Sequence, residues 1–107
     1  MRVRRSKAVQ FFSGDEEIFN HVKEEGPMWE ADGARKVFQR VDFPEPFDTT
    51  PVVSAGLSLI DASKDSNLRI WVRVTEIELT GFTIAILTWD DTRLAKACVS
   101  WTAIGEA

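Results

Sequence analysis

Cysteine, histidine and clustered glycine are scarce in this chain of 107 residues, and each scarcity closes a class of function. Cys98 is the only cysteine, so no intramolecular disulfide can form and stability must come from packing or assembly. A period of two groups Cys98 with Lys96, Ser100 and Thr102, away from Ala97, Val99 and Trp101. With no histidine near it in sequence, it reads as a strand residue and not as a nucleophile. His21 is the only histidine, which leaves no metal-ligand spacing and no serine–histidine pair. Gly14, Gly26, Gly33, Gly56, Gly81 and Gly105 all stand apart, so no loop can cradle a phosphate. Neither a cofactor nor a metal is expected.

No apolar run approaches the length of a bilayer span, and membrane insertion is not expected. The 17 acidic residues exceed the 13 basic ones, and the net charge of −4 argues against nucleic acid as a partner, because binding its backbone needs a basic surface. Only the start is basic, at Arg2, Arg4, Arg5 and Lys7. With no apolar segment or cleavage site after it, this run is no secretory signal, and residues 1–6 are expected to form a flexible, solvated terminus. The expectation is a soluble chain, cytoplasmic or carried to a surface by a route that needs no signal peptide.

The length suits a single domain spanning 1–107, large enough to bury roughly two thirds of the surface its unfolded chain would expose. Alternating and β-branched runs predict six strands, near Lys7 to Phe12, Arg35 to Phe43, Val52 to Leu59, Leu68 to Leu79, Phe82 to Trp89 and Leu94 to Ile104. Six short strands with polar turns between them predict an all-β, six-stranded antiparallel sandwich. Thr80-Gly81 is expected to form a tight hairpin, Asp90-Asp91-Thr92 to close the next, and Asp61 to Ser66 to form a polar loop. The prolines in Phe43-Pro44-Glu45-Pro46-Phe47 and Pro51 mark a loop crossing between strands. Gly14 to Gly33 is expected to be irregular: Asp15 to Lys23 could form a short helix, which Gly26-Pro27 would soon end, or equally a polar strand or loop.

The expected core is Phe43, Val53, Leu57, Ile70, Val72, Phe82, Ile84, Ile86, Val99 and Trp101. In Asn67 to Val74, alternation puts Leu68, Ile70, Val72 and Val74 on a core side and Arg69, Trp71 and Arg73 on a bare side. That bare side, with Asn67 and Thr75, carries too much aromatic and guanidinium surface for a lone solvated strand. It predicts a threefold assembly, possibly doubled to a hexamer, with Trp71 nearest the subunit contact.

An acid pair such as Asp90 and Asp91 is the nearest approach to a catalytic group, but adjacent residues on a turn usually diverge and cap it. No enzyme is expected. A different chemistry fits better. A sugar ring offers neighbouring hydroxyls, which a guanidinium fork or a carboxylate can bind, and an apolar C–H face, which stacks on an aromatic ring. Asp32, Arg69, Trp89 and Asp90 supply these groups, set against the plainer roles of ion-pair partner for Arg69 and rim residue for Trp89.

The ordered string Val41-Asp42-Phe43, Phe47, Pro51-Val52-Val53, Leu59-Ile60-Asp61, Asn67-Leu68-Arg69, Thr80-Gly81-Phe82, Thr88-Trp89, Asp91-Thr92 and Ser100-Trp101 resembles the H-type lectin domain of snail agglutinins and slime-mould discoidins. The resemblance spans about Val9 to Ile104. It implies a six-stranded sandwich, trimers or pairs of trimers, and binding of N-acetylgalactosamine or galactose with no metal in the sugar site. Carried across, the family's arginine after Asn-Leu falls on Arg69, its Thr-Trp tryptophan on Trp89 and its acidic loop residue on Asp32. The histidine that follows the tryptophan in some animal members is Asp90 here, and an aromatic of the last strand is Ala95. The disulfide of secreted members is replaced by Ile18 and Ile86. Those departures leave a second expectation beside the lectin: a trimerising structural module of a cell-surface or particle assembly that binds no sugar.

Overall fold

The computed structural model describes residues 8–107, so the basic run at Arg2, Arg4, Arg5 and Lys7 lies outside the described residues. The chain folds as β1 (Val9–Asn20), α1 (His21–Glu24), α2 (Pro27–Glu30), β2 (Arg35–Asp42), β3 (Val52–Ala62), β4 (Trp71–Thr75), β5 (Gly81–Thr88) and β6 (Leu94–Glu106). The strands form two antiparallel three-stranded sheets, ordered β1-β6-β3 and β2-β5-β4. This is the six-stranded sandwich that the sequence predicts. Only β4 and β5 are a hairpin within one sheet; every other connection crosses between sheets. The turn at Asp90-Asp91-Thr92 therefore arches from one sheet to the other and closes no hairpin.

The central strands carry the core because both of their edges are paired. On β5, Phe82, Ile84 and Ile86 are completely buried, and on β6 Ala97, Val99, Trp101 and Ala103 face them across the sandwich. Outward-facing Cys98, Ser100 and Thr102 alternate with these, as the parity of the sequence requires. Phe43, Phe47, Phe82 and Trp101 pack ring against ring, with centroids 5.0 Å apart for Phe43–Phe47 and 5.2 Å for Phe82–Trp101. Ile18 and Ile86 are both buried in this cluster.

Several expectations change. The segment Gly14 to Asn20 is not irregular: it continues β1 along β6, and a register shift between Glu17 and Phe19 turns Ile18 and Phe19 inward. Two short helices, α1 and α2, follow it where irregular chain was expected. Leu57 is not core, at 37% exposure, because β3 is an edge strand and an extra residue between Leu57 and Leu59 breaks its alternation. Val53, Ile70 and Val72 pack against the core only partly buried, as side chains of edge strands or their approaches do.

The strand expected from Leu68 to Leu79 is much shorter. Asn67 to Ile70 has no ladder partner, and Leu68 is exposed. At the other end Glu76 takes a left-handed backbone, φ 51°, which stops β4 at Thr75. The link to β5 is accordingly wider than a two-residue Thr80-Gly81 turn. Within β4 the alternation holds: Val72 and Val74 turn inward, Trp71 and Arg73 outward, with the Arg73 guanidinium 4.5 Å above the Trp71 ring.

Candidate carbohydrate site

Three crossovers meet at one end of the sandwich, β1 to β2, β3 to β4 and β5 to β6, and the predicted residues lie on them. Arg69 sits in the run leading into β4. Two buried threonines beyond β5 and at its end hold that run: Thr88 Oγ1 donates to Arg69 O, while Thr92 Oγ1 accepts from Arg69 N at 3.0 Å and donates to Asn67 O at 2.5 Å. The backbone here is thus fixed by side chains where a ladder would otherwise hold it. The Arg69 guanidinium then reaches the turn after β5, with Nη1 2.6 Å from Asp91 Oδ1 and Nη2 3.8 Å from Asp90 Oδ2. Asp90 and Asp91 do not diverge, since one cation holds both.

Asp32 arrives from the crossover between β1 and β2. Its Oδ1 accepts from Arg93 Nη2 at 2.8 Å, and Arg93 Nη1 also donates to Trp29 O at 2.9 Å. The backbones join directly where Gly33 N donates to Asp90 O at 2.8 Å. Gly33 and Asp90 both adopt left-handed backbones, φ 82° and 61°, which glycine takes freely and aspartate only at a cost of about 1 kcal/mol. Asp32, Arg69 and Asp90 therefore converge, the two outer carboxylates remaining largely open to solvent. Trp89 precedes Asp90 and is 43% exposed, and it shares with Trp71, Leu87, Lys36 and Arg35 a cleft of about 420 Å³. Ala95 is buried and offers no stacking surface.

Arg35 and Arg93 belong to this end of the molecule, although the sequence did not single them out, and Asp91, read from the sequence as a turn residue, is the closest partner of Arg69. Arg35, the first residue of β2, is 9% exposed and gives its whole fork to carbonyl groups. Burial lowers its pKa, Asp32 opposes the shift and Arg93 adds to it. The only sequence signal was the concentration of charge beside predicted turns.

His21 stiffens the corner that carries Asp32. Its Nδ1 accepts from Met28 N at 3.0 Å, and its ring lies 4.6 Å from that of Phe19. A Cβ on Gly26 would fall 2.3 Å from the imidazole, so only glycine lets the chain pass there. Burial pushes the His21 pKa below the ordinary 6.5, with Glu24 pulling it back. A depressed base is protonated first in the unfolded chain, so its contribution to stability is whole above about pH 6.5 and is lost as the pH falls below that value. The melting temperature of the parent is expected to drop more between pH 7 and pH 5 than that of His21→Gln, whose amide oxygen can accept from Met28 without titrating. Identical pH profiles would contradict this role.

Among the described residues no helix is long and apolar enough to cross a membrane, and no group of three or more His, Cys, Asp or Glu residues is placed to hold a metal.

The profile of the H-type lectin domain matches residues 38–104, more than half of the chain, and the chain belongs to that family. The match takes in Arg69, Trp89 and Asp90, while Asp32 lies ahead of it. The chain is 37% identical over 103 residues to "ATP synthase subunits region ORF 7" of Fuscovulum blasticum, covering 96% of this chain and 90% of that protein. It is 29% identical over 73 residues to discoidin-2 of Dictyostelium discoideum, covering 67% of this chain but 28% of that one. Native recombinant discoidin II of Dictyostelium discoideum has the same fold, with a TM-score of 0.80 at 21% identity over all of this chain and 41% of its own. The wild-type discoidin II structure agrees, at a TM-score of 0.82 and 21% identity over 99% of this chain and 40% of the other.

Proposed function

We propose that this chain is a carbohydrate-binding lectin that takes a galactose-type sugar, N-acetylgalactosamine or galactose, between Asp32, Arg69, Trp89 and Asp90. The observation that carries this is the convergence of Arg69, Asp90 and the Asp32 loop, one residue along the chain from the half-exposed Trp89, in a member of the H-type lectin family. Arg69 would donate paired hydrogen bonds to ring substituents, Asp32 would accept from neighbouring hydroxyls, and Trp89 would cover the apolar C–H patch. Asp90 would orient or restrict the sugar. Each of the three arginines here already has a carboxylate or carbonyl partner: Arg69 with Asp91 and Asp90, Arg93 with Asp32, Arg35 with carbonyls. That balance favours a neutral ligand over an acidic one.

A single shallow site binds weakly, and a trimer or hexamer raises the apparent affinity through effective concentration. Trp71, 52% exposed, and Arg73 above it offer the surface such an assembly would cover, with the sugar sites near the seam between subunits. A glycan array with the purified protein tests the sugar, and light scattering tests the assembly. Binding to galactose-type spots and a mass of three times 12.1 kDa, or six times, are the expected results. An array dark at every spot, with the assembly intact, would favour the non-binding structural module to which Asp90 and Ala95 point. A mass near 12.1 kDa would sink the assembly.

A further inference from the structure

The two chain segments that bring Asp32 and Asp90 to one place are crossovers between sheets, and no strand ladder holds either of them. We infer that Arg35, which is outside the sugar-contacting set, is the positioning residue that fixes these segments to each other and so sets the spacing of the site; the role in binding rests on the glycan reading above. Its Nε donates to Gly33 O at 2.8 Å and its Nη2 to Asp90 O at 3.2 Å. Gly33 N donates to that same Asp90 carbonyl, so the guanidinium closes a ring across the backbone bond that joins the two segments. The remaining nitrogen, Nη1, donates to Met28 O at 3.3 Å and Pro27 O at 3.4 Å, which anchors the helical corner just before Asp32.

Several features set this arrangement apart from an ordinary ion pair. Each of these acceptors is a backbone carbonyl, so the fork specifies where chain segments lie and neutralises no side chain. Both residues of the Gly33–Asp90 contact have left-handed backbones, and the Asp90 conformation is one a non-glycine residue keeps only when its surroundings determine it. The guanidinium is buried, so water competes poorly for its donors. Lysine could not substitute for it, because an ammonium is a point charge on one atom and cannot span carbonyls on separate segments.

The test uses Arg35→Lys, which keeps the charge and removes the fork. Amide hydrogen exchange followed by NMR is expected to show Gly33 exchanging at least about tenfold faster while Ile84, in the core of β5, stays at the parent rate. In parallel, affinity for N-acetylgalactosamine is expected to fall roughly tenfold with the melting curve still well above the assay temperature. That loss should shrink in an Asp90→Ala background, as it would for coupled residues and would not for a general loss of stability. Unchanged Gly33 exchange overturns the inference whatever the sugar result. Faster Gly33 exchange with undiminished affinity overturns the part concerning the site. If the parent itself binds no sugar while Gly33 exchange accelerates, the glycan reading fails and Arg35 stands as the clamp between the two crossovers. Should Arg35→Lys not fold, the Arg35 Nε proton of the parent is followed directly: slow exchange supports the clamp, and exchange at the rate of free arginine rules it out.

Discussion

Ile84→Ala is expected to lower the unfolding free energy by about 3–4 kcal/mol, within the range for truncating a buried isoleucine. A domain of this size has roughly 5–15 kcal/mol in total, so the loss is a large fraction of its stability. Ile84 is fully buried on the middle strand of its sheet, with β2 and β4 paired on either side, so little can collapse into the space left behind. Leu57→Ala is the matched control. At 37% exposure on an edge strand it should cost about 1 kcal/mol or less. Chemical denaturation measures both, and two variants of equal stability would contradict the placement of the core between β5 and β6.

Arg69→Ala and Asp32→Ala are each expected to weaken sugar binding by about 1.5–3 kcal/mol, roughly ten- to a hundredfold. Each removes a charged hydrogen-bonding partner from a shallow site that has few others. Arg69→Ala also frees Asp90 and Asp91, which lie 3.8 and 2.6 Å from its nitrogens, and leaves two carboxylates facing the ligand without their cation. Its effect should therefore be the larger and should soften as salt screens the repulsion. Titration against N-acetylgalactosamine and galactose, with the oligomeric state checked alongside, gives the result. Two variants that remain assembled and bind as tightly as the parent would place the site elsewhere.

The alternation of Phe82, Ile84 and Ile86, and of Ala97, Val99 and Trp101, was readable in the sequence because central strands bury one or both faces and their patterns admit few exceptions. The extension of β1 through Asp15, Glu16 and Glu17 was not. As an edge strand with one partner it can point charges at solvent, so its acidic residues gave no strand signal. Arg69 was legible as a residue but its setting was not: the period of two runs on through Asn67 to Ile70, where hydroxyls of Thr88 and Thr92 hold the backbone in place of a ladder. Arg35 and Arg93 were missed for a related reason. Their partners are largely carbonyl groups, which every residue carries, and only the folded crossovers show which of them converge.

The most direct test of glycan binding at this end of the sandwich is residue-resolved NMR during titration with N-acetylgalactosamine. Shifts confined to Asp32, Gly33, Arg69, Trp89 and Asp90, saturating with added sugar, are the predicted result. A spectrum that does not change, or shifts gathered on the outer face of the β1-β6-β3 sheet around Ser54, Ser100 and Thr102, would contradict it.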